Sequence, residues 1–128
     1  MARTILIALA AVLAAGIAGA QQPPSGIKRT PLQKVEFPDG YVTVSGLAEL
    51  PAGGRIGRHT HPGIETGYLL EGEALMTIDG QPDKHLKAGD SYSIPAGVVH
   101  DAAAHGGGAK VMAVWVVDKT KPLSSPAP

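Results

Sequence analysis

The sequence lacks cysteine throughout its 128 residues, so it offers neither a disulfide nor a thiolate metal ligand. Any metal must therefore be held by nitrogen and oxygen atoms. An excess of either charge is also missing, because 11 basic residues balance 11 acidic ones. Without a basic stripe to displace counterions, DNA and RNA are not expected partners. After residue 20 no apolar run is long enough to cross a bilayer, and we expect no membrane association of the mature chain.

The first twenty residues have the three parts of a secretory signal peptide. Arg3 supplies the positive start, Ile5 to Ala15 the apolar run, and Ala18-Gly19-Ala20 the small-residue cleavage site. A membrane anchor is the alternative, but the run is short and lacks a basic flank. We expect cleavage after Ala20 and a periplasmic or secreted protein of single-domain size.

The rest of the chain is predicted to be all-β. Short β-branched or alternating segments are separated by turn signals such as Pro51-Ala52-Gly53-Gly54 and Asp79-Gly80, and no segment has the spacing of an amphipathic helix. We predict a flexible N-terminal arm at 21–33, a sandwich or barrel at 34–118 and a proline-rich tail at 119–128. The predicted strands are Leu32–Phe37, Tyr41–Leu50, Ile56–His61, Glu65–Leu70, Ala74–Ile78, Asp83–Lys87, Ser91–Ile94, Val98–Ala104 and Lys110–Val117.

The stretch from Gly53 to Gly72 carries the first ligand-type side chains. His59 and His61 are two residues apart, so a strand would place both imidazoles on one face. A turn at Pro62-Gly63 then allows Glu65 to begin a new strand. Three such groups within seven residues indicate a metal site, and His100, in the stretch from Gly89 to His100, is a candidate fourth ligand.

Two spaced patterns contain these residues: Gly53-x5-His59-x-His61-x3-Glu65-x6-Gly72 and Gly89-x5-Pro95-x-Gly97-x2-His100. Their spacing resembles the two sequence motifs of the cupin superfamily. Ala104 stands where the second motif usually has an asparagine, and Lys121-Pro122-Leu123 resembles the tail of small exported bacterial cupins.

This resemblance implies a cupin-type double-stranded β-helix, a jelly-roll barrel in one domain. It also implies that His59, His61, Glu65 and His100 hold one divalent transition metal. Imidazole and carboxylate ligands suit Mn, Fe, Ni, Cu or Zn, and four protein ligands leave positions open for a small-molecule substrate.

Several functions fit such a barrel, because fold does not fix activity. We favour a dioxygenase-type oxidoreductase acting on a small phenolic or enolic molecule. The alternatives are a metal-dependent isomerase or lyase and a non-catalytic periplasmic protein that binds a metal or small ligand. We also expect a homodimer, since a sheet of this size has edges that need covering.

The other candidate residues are predicted to have structural roles and no part in catalysis. Glu65 is considered as a general base but favoured as a ligand only. His85 and His105 match no motif position and are predicted to be surface histidines. Strand parity predicts that Tyr68 faces away from the metal and Arg58 away from His59. For the remaining candidates the sequence favours ordinary core packing over a place in the pocket, and these are Met76, Tyr92 and Trp115.

Overall fold

The computed structural model describes residues 26–128, so the predicted signal peptide lies outside the described residues. All of the regular structure in residues 26–128 is β-strand, as predicted. That part of the chain holds no helix long and apolar enough to pass through a membrane. The strands are β1 Lys28–Val35, β2 Tyr41–Leu50, β3 His59–Thr60, β4 Gly63–Ile78, β5 Lys84–Lys87, β6 Ser91–Ile94, β7 His100–Asp118 and β8 Ser125–Pro126.

Two long antiparallel strands, β4 and β7, form the centre of the sheet. Their pairing runs from Gly63 opposite Val117 to Ile78 opposite His100. On its other edge β4 pairs first with β6 and then with β5, whereas β7 pairs with β2 and, at its start, with β3. β1 extends the sheet beyond β2, and β8 extends it beyond β3. The fold is the predicted all-β jelly-roll barrel.

The predicted breaks at 71–73 and 105–108 do not interrupt β4 and β7. Each region is a bulge within a continuous strand, where the register shifts between Leu69 and Glu71 and again between Gly72 and Ala74. Gly72 and Gly106 have φ values of +74° and +75°, which let the backbone bend without ending the ladder. These two glycines therefore mark bends within continuous strands. The prediction that the strands end there is wrong.

At both ends of the barrel, the observed strands differ from the prediction. β1 begins at Lys28, inside the segment predicted as a flexible arm. Nearly all of its side chains are exposed on both faces, which explains why no apolar alternation marks it in the sequence. The tail at 119–128 contains β8, whose backbone pairs with β3. The predicted strand at 56–61 is reduced to His59–Thr60.

The core fills the inside of the barrel with aliphatic side chains and one tyrosine. Leu69 is fully buried, Ile94 is 1% exposed, and both pack in the same cluster. Asp101 is also buried, at 2% exposure, and is paired with Arg55 while it accepts a hydrogen bond of 2.8 Å from the backbone N–H of Gly57. Because a buried carboxylate needs such partners, Asp101 fixes the loop that leads to His59. The cluster comprises Leu50, Leu69, Ala74, Met76, Ile78, Leu86, Tyr92, Ile94, Ala102, Ala109 and Val111.

Gly67 lies under the ring of Tyr92, to which it is paired across β4 and β6. A Cβ atom at residue 67 would overlap the aromatic ring, so we predict that Gly67→Ala lowers the free energy of unfolding by about 1–3 kcal/mol. Chemical denaturation measures the change. Gly107→Ala is the matched control, because a Cβ there meets nothing within 4 Å. Equal stability of the two variants would contradict the packing described for Tyr92.

Candidate metal centre

Three strands and one turn bring the four predicted ligands together. His59 lies on β3 directly opposite His100 on β7, Glu65 lies near the start of β4, and His61 lies in the turn between β3 and β4. His61, Glu65 and His100 are 5%, 6% and 3% exposed. His59 is only partly buried, and it therefore lies on the more accessible side of the cluster.

Each imidazole is oriented by a backbone carbonyl. The Nδ1 atoms of His59, His61 and His100 lie 2.8, 2.6 and 2.9 Å from carbonyl oxygens. Those oxygens belong to Gly57, Leu123 and Val98. Because a carbonyl can only accept, each Nδ1 carries the proton and donates it. In the neutral rings the lone pair is then on Nε2, the nitrogen that faces the cluster.

The four lone-pair-bearing atoms converge on one point. The Nε2 atoms of His59 and His61 are 3.1 Å apart, and Glu65 Oε2 lies 2.8 Å from His61 Nε2 and 3.2 Å from His100 Nε2. All four ligand atoms lie within 4.8 Å of one another. A proton on one ring relieves one of these acceptor–acceptor contacts, whereas a cation at the centre relieves all of them. The donor set therefore fits a single divalent metal.

The charge state of the cluster supports the same conclusion. Burial opposes ionisation of Glu65, but its contacts with His100, His61 and Tyr92 outweigh burial and hold its pKa well below the ordinary value. Burial lowers the pKa of His59 and favours the neutral ring that a metal needs. Burial also acts to lower the pKa of His100, but the neighbouring Glu65 carboxylate gives a net rise. Because ligation needs the Nε2 lone pair, a bound metal competes with a proton for His100.

Tyr92 holds the carboxylate from the side away from the imidazoles. Its hydroxyl donates a hydrogen bond of 2.8 Å to Glu65 Oε1, leaving Oε2 to face the histidines. Burial and the Glu65 charge raise the pKa of Tyr92, which keeps the phenol protonated and able to donate. The sequence prediction of ordinary core packing missed this role. Gly67, at an inward-facing position of β4, was the available signal of a close approach, but only the strand register identifies Tyr92 as its partner.

Trp115 also belongs to the site. It pairs with Glu65 across β4 and β7, and its indole Nε1–H donates to His61 Nε2 at 3.1 Å. Indole is a donor only, so Trp115 adds one N–H to a cluster otherwise rich in acceptors. The sequence places a tryptophan in a buried strand but gives no information on its register with β4.

The C-terminal tail reaches the centre through the backbone. The Leu123 carbonyl accepts the His61 Nδ1–H, and β8 pairs with β3 so that Pro126 lies opposite His59. Further along, Ala127 N–H donates to the Arg58 carbonyl at 3.0 Å, and Arg58 Nε donates to the Pro128 carbonyl at 2.6 Å. The residues predicted only as a polar tail therefore orient one of the candidate ligands.

The remaining candidates lie outside the centre. Tyr68 is 47% exposed and faces away from the ligands, as strand parity predicted. Arg58 also points outward, where it forms an ion pair with Asp79 at 3.0 Å. Met76 is buried in the core cluster. His85 and His105 are exposed on the surface but lie against each other, which the sequence did not indicate.

Comparison with known proteins agrees with the fold. The family model for the cupin domain matches residues 46–117, which contain all four candidate ligands. The chain belongs to the cupin family.

A short part of the chain is similar to a curated protein. It is 54% identical over 43 residues to the HTH-type transcriptional regulator PuuR of Escherichia coli, a match that covers 34% of this chain and 23% of the regulator. The chain therefore spans less than a quarter of that relative's length.

Solved structures share the fold. DMSP lyase DddQ from Ruegeria pomeroyi superposes with a TM-score of 0.68 at 22% identity, covering 79% of this chain and 51% of the lyase. An oxalate oxidase in complex with glycolate gives a TM-score of 0.65 at 24% identity, covering 85% of this chain and 59% of the oxidase. At such identities the likeness establishes the architecture of the barrel and leaves the reaction open.

The contact between the tail and His61 leads to a prediction. Ending the chain at Lys119 removes the Leu123 carbonyl and β8, so His61 loses the group that fixes its ring and tautomer. We expect metal affinity to fall by roughly 10–100-fold, as for the loss of a hydrogen-bond partner of a metal ligand. Competition with a chelator measures the affinity, and circular dichroism checks that the barrel is retained.

The matched control is a chain that ends at Pro126, which keeps both the Leu123 carbonyl and β8. Its affinity should equal that of the full chain. If the chain ending at Lys119 bound metal equally well, the tail would have no part in orienting His61.

Proposed function

We propose that this cupin is a metal-dependent enzyme that oxidises a small phenolic or enolic molecule with dioxygen. The observation that carries the proposal is the convergence of four acceptor atoms beside one inward-facing N–H, that of Trp115. A purely structural site would be closed by its protein ligands, whereas His59 leaves this one accessible on one side.

The ligands we propose are His59, His61, Glu65 and His100, for one divalent metal among Mn, Fe, Ni, Cu and Zn. When bound, such a metal supplies Lewis-acid chemistry and, for Mn, Fe or Cu, one-electron chemistry with oxygen. The chain has no thiolate that would favour a softer ion.

The neighbouring side chains have distinct parts in the proposal. The contacts with His100, His61 and Tyr92 keep Glu65 ionised, and the Tyr92 hydrogen bond fixes its carboxylate. We therefore propose that Glu65 is a ligand and not a detachable general base. Once the lone pair of His61 Nε2 is used for ligation, the Trp115 N–H can donate to a substrate oxygen instead. The buried walls formed by Ile94 and its neighbours exclude water from behind the ligands.

The solved relatives support a small-molecule reaction on this barrel and leave two reaction classes. One is an oxidase in complex with glycolate and the other is a lyase. A metal-dependent isomerase or lyase is therefore the second candidate. A non-catalytic binding protein is the third, and the tail that covers His61 favours it by restricting exchange at the site.

The proposal is tested with protein loaded separately with each of the five metals. Oxygen uptake and product formation are measured with catechols, flavonols and enediols, in air and under anaerobic conditions. We expect oxygen uptake with at least one redox-active metal and none with zinc. His100→Ala should abolish it, whereas Thr66→Ala, on the outward face next to Glu65, should leave it unchanged.

Absence of oxygen uptake with every metal would contradict the oxidative reaction. Product formed equally well without oxygen would then identify a lyase or isomerase. A small molecule retained through purification, with no turnover, would identify a binding protein.

Export and self-association are further proposals. We propose that the protein is periplasmic or secreted. Mass spectrometry of the mature protein would support this if the measured mass is that of a chain starting at Gln21. We also propose that β1 pairs with a second copy, because Val35 at its end and Phe37 just beyond it are 53% and 69% exposed. The molar mass in solution distinguishes a dimer from a monomer.

A further inference from the structure

A second group of ligand-type side chains lies on the outer face of the barrel. It consists of Glu73 on β4, His85 on β5 and His105 on β7, and we name it the outer cluster. β4 runs between β5 and β7, so three adjacent strands each contribute one residue. The cluster shares no residue with the metal centre.

Strand register explains why these side chains meet. His85 pairs with Leu75, which lies on the same face of β4 as Glu73. On β7 the residue paired with Leu75 is Ala103, and His105 follows it by two. All three therefore project from the face opposite Ala74 and the core.

The bulge in β7 delivers His105 to this position. Ala74 pairs with Ala104 and Gly72 with Ala109, so the stretch 105–108 on β7 faces the single residue Glu73 on β4. A bulge redirects the side chains it contains, and here it places His105 beside Glu73. The sequence predicts only the strands on either side of this bulge, Val98–Ala104 and Lys110–Val117.

The distances are those of a ligand set. His85 Nε2 lies 3.0 Å from Glu73 Oε2, the rings of His85 and His105 have centroids 4.4 Å apart at 72°, and one atom from each residue lies within 4.8 Å of the others. The side chains of His85 and Glu73 are 52% and 51% exposed, so an ion reaches them without a conformational change.

A surface ion pair accounts for only part of this arrangement. A pair between His85 and Glu73 is worth little at such exposure and gives no reason for a second imidazole to lie edge-on against the first. Protonation of both rings would place two positive charges side by side. Two neutral imidazoles and one carboxylate are instead a donor set that binds zinc, nickel or copper with coordination positions left open.

We propose that Glu73, His85 and His105 form a second site, on the surface, for a divalent transition metal. Its three ligands leave room for water or for a donor group from another molecule. It exchanges its ion faster than the buried centre, because none of its ligands is enclosed.

The test is a titration of the full chain with Zn²⁺ and with Cu²⁺, followed by calorimetry and, for copper, by electron paramagnetic resonance. We expect two equivalents per chain, the weaker one with two nitrogen ligands. His85→Ala and His105→Ala should each lower the affinity for the second metal ion at least roughly ten-fold. Loss of a hydrogen-bond partner of a ligand already lowers metal affinity by that factor, and loss of the ligand itself should lower it further. The first equivalent should be unchanged.

Two controls make the result specific. Glu73→Gln should weaken the second equivalent, whereas Glu71→Gln should not, because Glu71 is an exposed glutamate on the same strand that lies near Lys110 instead. His100→Ala should remove the buried equivalent and keep the surface one. A second equivalent that persists in both histidine variants, or no second equivalent in the unaltered chain, would overturn the proposal.

Discussion

Repulsion among four acceptor atoms is the constraint on which the rest of this structure depends. Three backbone carbonyls fix the protons of His59, His61 and His100 on Nδ1, which leaves the Nε2 lone pairs pointing at one another and at Glu65. Burying such a set without a shared positive charge is costly. A cation at the centre turns the same contacts from repulsive to attractive, and the barrel positions the four atoms for it.

The scaffold supports this arrangement from several directions. Asp101 secures the loop before His59, Tyr92 secures Glu65, and the tail secures His61 through the Leu123 carbonyl. These contacts come from strands that are far apart in sequence, so the geometry of the site is a property of the whole barrel. Trp115 adds a donor of its own, an N–H that points at His61 Nε2. That donor gives the proposed enzyme a means of orienting an oxygen-bearing substrate.

The sequence identified the four converging side chains better than it identified the residues that support them. His59, His61 and Glu65 are close in the chain, and their spacing already places them near one another, whereas His100 was found through its own motif. Tyr92 and Trp115 carry no local signal, since their roles depend on the register of β6 and β7 against β4. The strand Ser91–Ile94 formed where predicted, and its buried positions alternate. The strand Tyr41–Leu50 also formed with the predicted bounds. β1 did not begin where expected, since an exposed edge strand has no apolar pattern.

X-ray absorption spectroscopy of the purified and dialysed protein, combined with its metal content, is the most direct test of the central claim. We predict about one tightly held divalent metal per chain, surrounded by nitrogen and oxygen at the short distances typical of such ligands, with the multiple-scattering signature of imidazole and no sulfur. A protein that holds no metal after loading, or one whose metal has no imidazole ligands, would contradict the account.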